Sequence, residues 1–251
     1  IKPFFVLVTA KILSSNLRNN KAPNSLYILS FFILVTLVIL LINQPDLGQS
    51  ILIISTWIAI VFISGFSLIY ISGIFLGIAT FVSSLIIIFP QKFGYITQRL
   101  TTFIDPSKGD SFQTEKALEA IRQGGLKGQG MGEGILKDSV PEAHTDYIIA
   151  IVSEEFGSLL STFIIFIFIY ISFKIIKNCL KETNENLKIS LCGLASLLIF
   201  QTFIHIGVNT SLLPTTGMTL PFLSYGGSSL IGSAILAGLI LNYTKNRVLN
   251  E

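Results

Sequence analysis

Six stretches of this chain, residues 26–43, 48–64, 68–89, 147–173, 189–208 and 226–243, are nearly unbroken runs of apolar side chains. Crossing a hydrocarbon layer takes roughly 20 residues, and these runs match or approach that length. Inside such a layer every backbone N–H and C=O must find a partner in the chain itself, so only helices and closed barrels are possible. Continuous apolar runs, as opposed to alternating ones, select helices. The fold class is therefore all-α and polytopic. Composition agrees, with 51% hydrophobic and 12% charged residues against roughly 25% charged in soluble domains.

Residues 48–89 read as two spans joined at "SGFS", since one helix of that length would measure about 63 Å, twice the hydrocarbon thickness. Charge placement gives the same answer. With two spans, the segments 14–25, 174–188 and 244–251 share one side and hold Arg18, Lys21, Lys174, Lys177, Lys181, Lys188, Lys245 and Arg247. The short connections on the other side, "NQPDLG" and "NTSLLPTTGMTLPFLSYGG", hold no Lys or Arg. Basic loops stay cytoplasmic, so the long loop 91–146 is expected outside and the C-terminus inside. The opening "IKPFFVLVTAKIL" shows no signal-peptide pattern; its apolar run is too short to span and reads as the tail of a truncated helix. The chain is expected to be one integral-membrane domain over 1–251.

The loops carry the polar chemistry. Net charge is +3 with no basic run, which excludes nucleic acid as a partner class. Cys179 and Cys192 have neither metal-ligand nor disulfide-framework spacing and read as inert. In the long loop, "DSFQTEKALEAIRQGG" predicts a helix capped by Asp110 or Ser111, with Phe112, Leu118 and Ile121 on its apolar face and Gly124 and Gly125 at its end. Such a helix suits an outer membrane surface. "GGLKGQGMGEG" (124–134) fits no nucleotide-loop pattern; it is either a flexible loop or a set of amides for an anion. Asp46, in "QPDLG", reads as turn chemistry. "LPFLSYGGSS" reads as a helix broken at Pro221 and restarted near Ser224. His205 reads as an interhelical hydrogen-bonder.

Two roles are open to Asp146, which stands where the long loop becomes a span. It is either the N-cap of the helix or a general base at the outer surface, within reach of substrate and water. Glu154, about 12 Å deeper along an ideal helix, is either a functional carboxylate or one with a structural partner.

Five stretches in order, "QPDLG" (44–48), "QRLTTFIDP" (98–106), "GGLKGQGMGEG" (124–134), "PEAHTDYIIAIVSEEFG" (141–157) and "LLPTTGMTLPFLSYGGSS" (212–229), resemble the SEDS family of shape, elongation, division and sporulation proteins. The resemblance implies a ten-helix bundle of which this chain holds helices four to ten, seven helical segments with a large extracytoplasmic loop. It implies a peptidoglycan glycosyltransferase that polymerises lipid II, an undecaprenyl pyrophosphate disaccharide-peptide, on the outer face of the bacterial cytoplasmic membrane. The family's essential carboxylate falls on Asp146. Arg99, Lys116, Glu142, His144, Thr145, Ser224, Gly226 and Gly227 are the candidate substrate-binding residues. The resemblance also implies a class B penicillin-binding protein and divisome proteins as partners, and leaves a divalent cation open as cofactor. "TTGMTLPFLSYGG" is more similar to the division members (FtsW type) than to the elongation members (RodA type). A lipid II flippase and an elongation polymerase are the alternative readings.

Overall fold

The chain is seen here as a computed structural model describing residues 1–18, 25–67, 90–105, 111–136 and 139–245, with residue 107 and isolated positions between 69 and 88. The helices are α1 (Lys2–Arg18), α2 (Ser25–Asn43), α3 (Leu47–Ile63), α4 (Pro90–Ile104), α5 (Phe112–Gly124), α6 (Ile148–Lys181), α7 (Glu185–Asn209) and α8 (Gly227–Thr244). No strand occurs among the described residues. Four helices, α2, α6, α7 and α8, are long and apolar enough to cross a membrane; α3 is a shorter apolar helix. The expected span 68–89 falls largely outside the described residues, and its described positions are helical.

Helix α7 is the post around which the others stand. Its membrane-length window is 67% buried within the chain, against 11% for α2 and α8. A helix apolar on every side belongs inside, and α7 buries Ile189, Leu191, Leu194, Leu197, Leu198, Ile204 and Val208. Phe5, Val6, Ala10 and Leu13 of α1 join this core, as do Leu52, Trp57 and Ile60 of α3. Trp57 Nε1 also donates to Ser30 Oγ at 3.3 Å, tying α3 to α2.

The long loop is more ordered than its sequence suggests. It contains a second helix, α4, and the predicted helix appears as α5. Ser111 holds the N-cap position of α5 without a cap bond to the backbone, its hydroxyl donating instead to Glu115 Oε1. The buried face of α5 is Ala117, Ala120 and Gly124, not the Phe112, Leu118 and Ile121 face. That face lies on α6, where small side chains let two helix backbones approach closely.

Helix α6 is broken. Gly157 has φ 85° and ψ 164°, outside the helical region, which frees carbonyls of the preceding turn. The glycine-rich loop supplies the missing donors. Gln129 N donates to the Glu154 carbonyl at 2.9 Å, and Gly130 N to the Glu155 carbonyl at 3.0 Å. In return Ser158 N donates to the Gly125 carbonyl at 2.9 Å. The backbones touch so closely that a Cβ on Gly128 would overlap the Glu155 carbonyl, and one on Gly157 the Leu126 carbonyl. Amides that an anion could have used are thus spent on α6.

The cysteines also depart from expectation. Cys179, near the end of α6, and Cys192, two turns into α7, form a disulfide. The helical hairpin at 182–184 lays the two helices side by side, a proximity that linear spacing cannot reveal.

Gly157→Ala is expected to destabilise the fold by about 1–3 kcal/mol from backbone strain alone, with the overlap against Leu126 adding to it. Gly238, in α8, has open space around its Cβ position, so Gly238→Ala should be neutral or stabilising by up to about 1 kcal/mol. Thermal melts of the two purified variants in one detergent check both signs.

A candidate active site around Asp146

The segment 141–147 is a run of turns that delivers Asp146 to the head of α6. Glu142 adopts φ 56°, and its carbonyl gathers the amides of Thr145, Asp146 and Tyr147 at 3.1, 3.0 and 3.4 Å. Thr145 Oγ1 donates to Glu142 Oε2 at 2.8 Å. This coil is fastened from the far end of the chain. Tyr225 N donates to the His144 carbonyl at 2.9 Å, Ser224 Oγ to the Thr145 carbonyl at 2.6 Å, and Asn209 Nδ2 to the Asp146 carbonyl at 2.8 Å. Three consecutive carbonyls are therefore each held by a donor from the end of α7 or the α7–α8 connection.

The Asp146 side chain does not cap α6. Tyr147 occupies the N-cap position, and no side-chain cap bond is made there. Asn209 Oδ1 instead accepts from Ala150 N at 3.2 Å, an amide shared with the Tyr147 carbonyl. Asp46, by contrast, does cap: its Oδ1 accepts from Gln49 N at 3.0 Å at the start of α3. Asp146 Oδ2 faces Gly217, where an added Cβ would stand 3.5 Å away and φ is 68°. A glycine there keeps that side of the carboxylate open.

The half-buried Asp146 carboxyl is pushed up to about 6, first by burial and then by Glu142. The Arg99 guanidinium opposes the rise, and Asp46 adds a little to it. Arg99 is carried by α4 and donates through Nη1 to the Thr215 carbonyl at 3.2 Å. It lines a cavity of about 170 Å³ with Phe103, Ser111, Thr114, Leu118, Leu213 and Thr215. That cavity sets the Arg99 cation and the Glu115 carboxylate among largely apolar walls.

The remaining candidates divide by position. Glu142 and His144 are exposed beside Asp146, and Thr145 is partly so. Ser224 is buried, its hydroxyl engaged by Leu220 N at 2.7 Å as well as by the Thr145 carbonyl, so it bears on Asp146 through the backbone. Gly226 and Gly227 open α8 and are accessible. Lys116 lies apart, its ammonium paired with Glu119 Oε2 at 2.6 Å on the same helix. Glu154 is fully buried; its Oε1 accepts from Leu136 N at 2.7 Å and its Oε2 has no partner among the described residues. His205 is also fully buried, bonding through Nδ1 to the Met218 carbonyl at 2.6 Å. Among the described residues no three His, Cys, Asp or Glu side chains converge as a metal-holding group. Sequence reading overlooked Asn209, whose only signal was an amide at the C-terminal end of a span.

The family model described as "Cell cycle protein", which covers FtsW, RodA and SpoVE, matches residues 1–248. The chain belongs to that family, and with its apolar helices it is a multi-pass membrane protein. Curated relatives include a "Probable peptidoglycan glycosyltransferase FtsW" of Caulobacter vibrioides, 32% identical over 249 residues, covering 98% of this chain and 62% of the relative. Another of the same name, from Idiomarina loihiensis, is 34% identical over 253 residues, covering 98% and 61%. The "Stage V sporulation protein E" of Bacillus subtilis is 33% identical over 247 residues, covering 98% and 67%. The chain thus spans about three fifths of the length of the first two. Two solved structures share the fold at 24% identity. One, described as a peptidoglycan synthase complex, has TM-score 0.78 and covers 99% of this chain and 69% of its own. The other, rod shape determining protein RodA of Thermus thermophilus, has TM-score 0.66 and covers 99% and 65%.

Because the folded state raises the Asp146 carboxyl to about 6, from roughly 3.9 in an unfolded chain, the native state holds that proton more tightly. The resulting penalty is absent below the unfolded value, grows between the two, and is complete above about 6. Asp146→Asn should therefore raise the melting temperature at pH 7.5, with the gain shrinking toward zero as pH falls to about 4. Melts of both proteins across that range check the sign.

Proposed function

We propose that the whole protein is a peptidoglycan glycosyltransferase of the division type, polymerising lipid II at the outer face of the bacterial cytoplasmic membrane. The observation that carries this reading is the Asp146 carboxylate, uncapped and half-buried at a helix head, with its backbone held in place. A base that titrates near 6 is mostly ionised at neutral pH yet still basic enough to take a proton in a transition state. In the proposed step a sugar hydroxyl gives its proton to Asp146 as its oxygen bonds to the anomeric carbon of a second lipid-linked sugar. The bond from that carbon to the pyrophosphate breaks, and the departing lipid pyrophosphate takes the electron pair. Arg99 is the cation suited to the leaving phosphates, and its apolar-walled cavity to the adjoining part of the substrate.

The names of the curated relatives support the activity, and the neighbouring peptidoglycan synthase complex supports a partner that crosslinks the product. The partner's proposed class is a class B penicillin-binding protein, within a divisome. A flippase needs polar groups along a path open to both sides. Glu154, the carboxylate placed deeper along α6, is instead sealed from solvent beneath the glycine-rich loop, which favours the polymerase.

Purified full-length protein carrying Asp146→Asn should bind lipid II yet lose on the order of 10²–10⁴ in polymerisation rate. A folded variant within about threefold of wild type, well short of a general-base effect, would remove Asp146 from the chemistry. Orientation has its own test in intact cells. A membrane-impermeant maleimide should label Lys127→Cys, on the glycine-rich loop, and spare Lys245→Cys, at the end of α8. Both positions are exposed in the fold, so the opposite pattern would place the site on the wrong side.

A further inference from the structure

We infer that Asn209 is the positioning residue of Asp146: it takes over the capping of α6 and pins the Asp146 carbonyl, leaving the carboxylate free to act. This rests on the reading of Asp146 as the base.

An aspartate just ahead of a helix is normally drawn into capping, because the first-turn amides have no partners of their own. Asp46 shows that outcome in the same molecule. A carboxylate engaged in that way turns toward the helix and spends a lone pair on it. At α6 the competing acceptor is Asn209 Oδ1, which reaches Ala150 N from the neighbouring helix. Its Nδ2 donates at once to the Asp146 carbonyl at 2.8 Å and to the His205 carbonyl at 2.9 Å. One carboxamide thus satisfies groups on both sides of the base and on its own helix. The chemistry demands an amide, because only that group presents a neutral acceptor and two donors on one short side chain. Aspartate lacks the donors, and leucine, of similar shape, lacks everything.

Burial makes the arrangement strict. Asn209 is fully buried, so losing it leaves the Asp146 carbonyl without an easy replacement from water and the Ala150 amide with the Tyr147 carbonyl alone. The bonds from Ser224 and Tyr225 hold residues 145 and 144, but neither reaches the residue that carries the carboxylate. Without Asn209, Asp146 regains the option of capping α6 and swings toward its amides. A displacement of that order is enough to cost catalysis about 10²-fold.

The test uses full-length protein reconstituted in vesicles, with lipid II as substrate. Asn209→Ala should lower kcat per folded molecule by about 10²-fold while the KM for lipid II moves less than about threefold, because Asn209 touches the base and not the substrate cavity. In an Asp146→Asn background the same change should slow the enzyme no further, the signature of one residue acting through another. Asn209→Asp keeps the shape and the acceptor for Ala150 but loses the donors and adds a negative charge beside Asp146. Arg99, Glu142 and Asp46, the charged groups that already act on Asp146, are untouched by it. The acid limb of its pH–rate profile should therefore move upward. Activity lost only in proportion to folded protein, or an Asn209→Asp acid limb coincident with wild type, overturns the positioning role. Should Asp146→Asn alone run near the wild-type rate, the base reading falls first and this inference with it.

Discussion

A helix can be broken inside an apolar layer only where the backbone groups it frees find partners within the protein. That constraint governs the half of this molecule that carries the glycine-rich loop. Gly157 interrupts α6, and the carbonyls of Glu154 and Glu155 turn to the amides of Gln129 and Gly130. The glycine-rich loop must then lie against α6 with backbone touching backbone, which excludes side chains at Gly124, Gly128 and Gly157. Fixing the loop there also fixes the chain beyond it. Leu136 N is held by the Glu154 carboxylate, and a few residues later the chain coils through 141–147 to present Asp146.

The electrostatics of Asp146 arise from that placement. Burial, Glu142 and Asp46 all disfavour its charge, and Arg99 alone among the named groups favours it. A fold optimised for stability would not keep an aspartate there, since an apolar or amide side chain avoids the cost of ionisation. Keeping it is the kind of local expense found at functional sites. The expense is tolerable because the backbone on either side is so well satisfied, with successive carbonyls bound from a distant part of the chain.

Much of this architecture was legible in the sequence. Apolar runs gave α2, α3, α6, α7 and α8 to within a few residues, apart from the extension of α6 to Lys181, and the ordered motifs gave the family. What escaped were features made by pairing across long distances. Nothing local distinguishes the Ala117, Ala120 and Gly124 face of α5 from a weak apolar stripe, because its partner α6 lies beyond the loop. The glycine-rich loop read as either a flexible loop or a set of amides for an anion, because the broken helix that claims those amides was not visible. The Cys179–Cys192 bond and the engagement of Ser224 with residue 145 were hidden for the same reason.

Asp46 and Asp146 make the limit concrete. Both are aspartates in turns ahead of an apolar helix; the sequence reads Asp46 as turn chemistry and leaves Asp146 open between a cap and a base. One caps and the other does not. Asp46 holds the N-cap position of its helix, whereas Asp146 stands one residue before the N-cap Tyr147. A carboxamide 63 residues downstream, at the far end of a helix that finishes beside the head of α6, reaches the first-turn amide instead. No window of sequence around Asp146 contains that information. A residue's freedom to do chemistry can thus be decided by a neighbour that removes its structural alternative, and such neighbours are found by asking which group satisfies the amides that the candidate leaves alone.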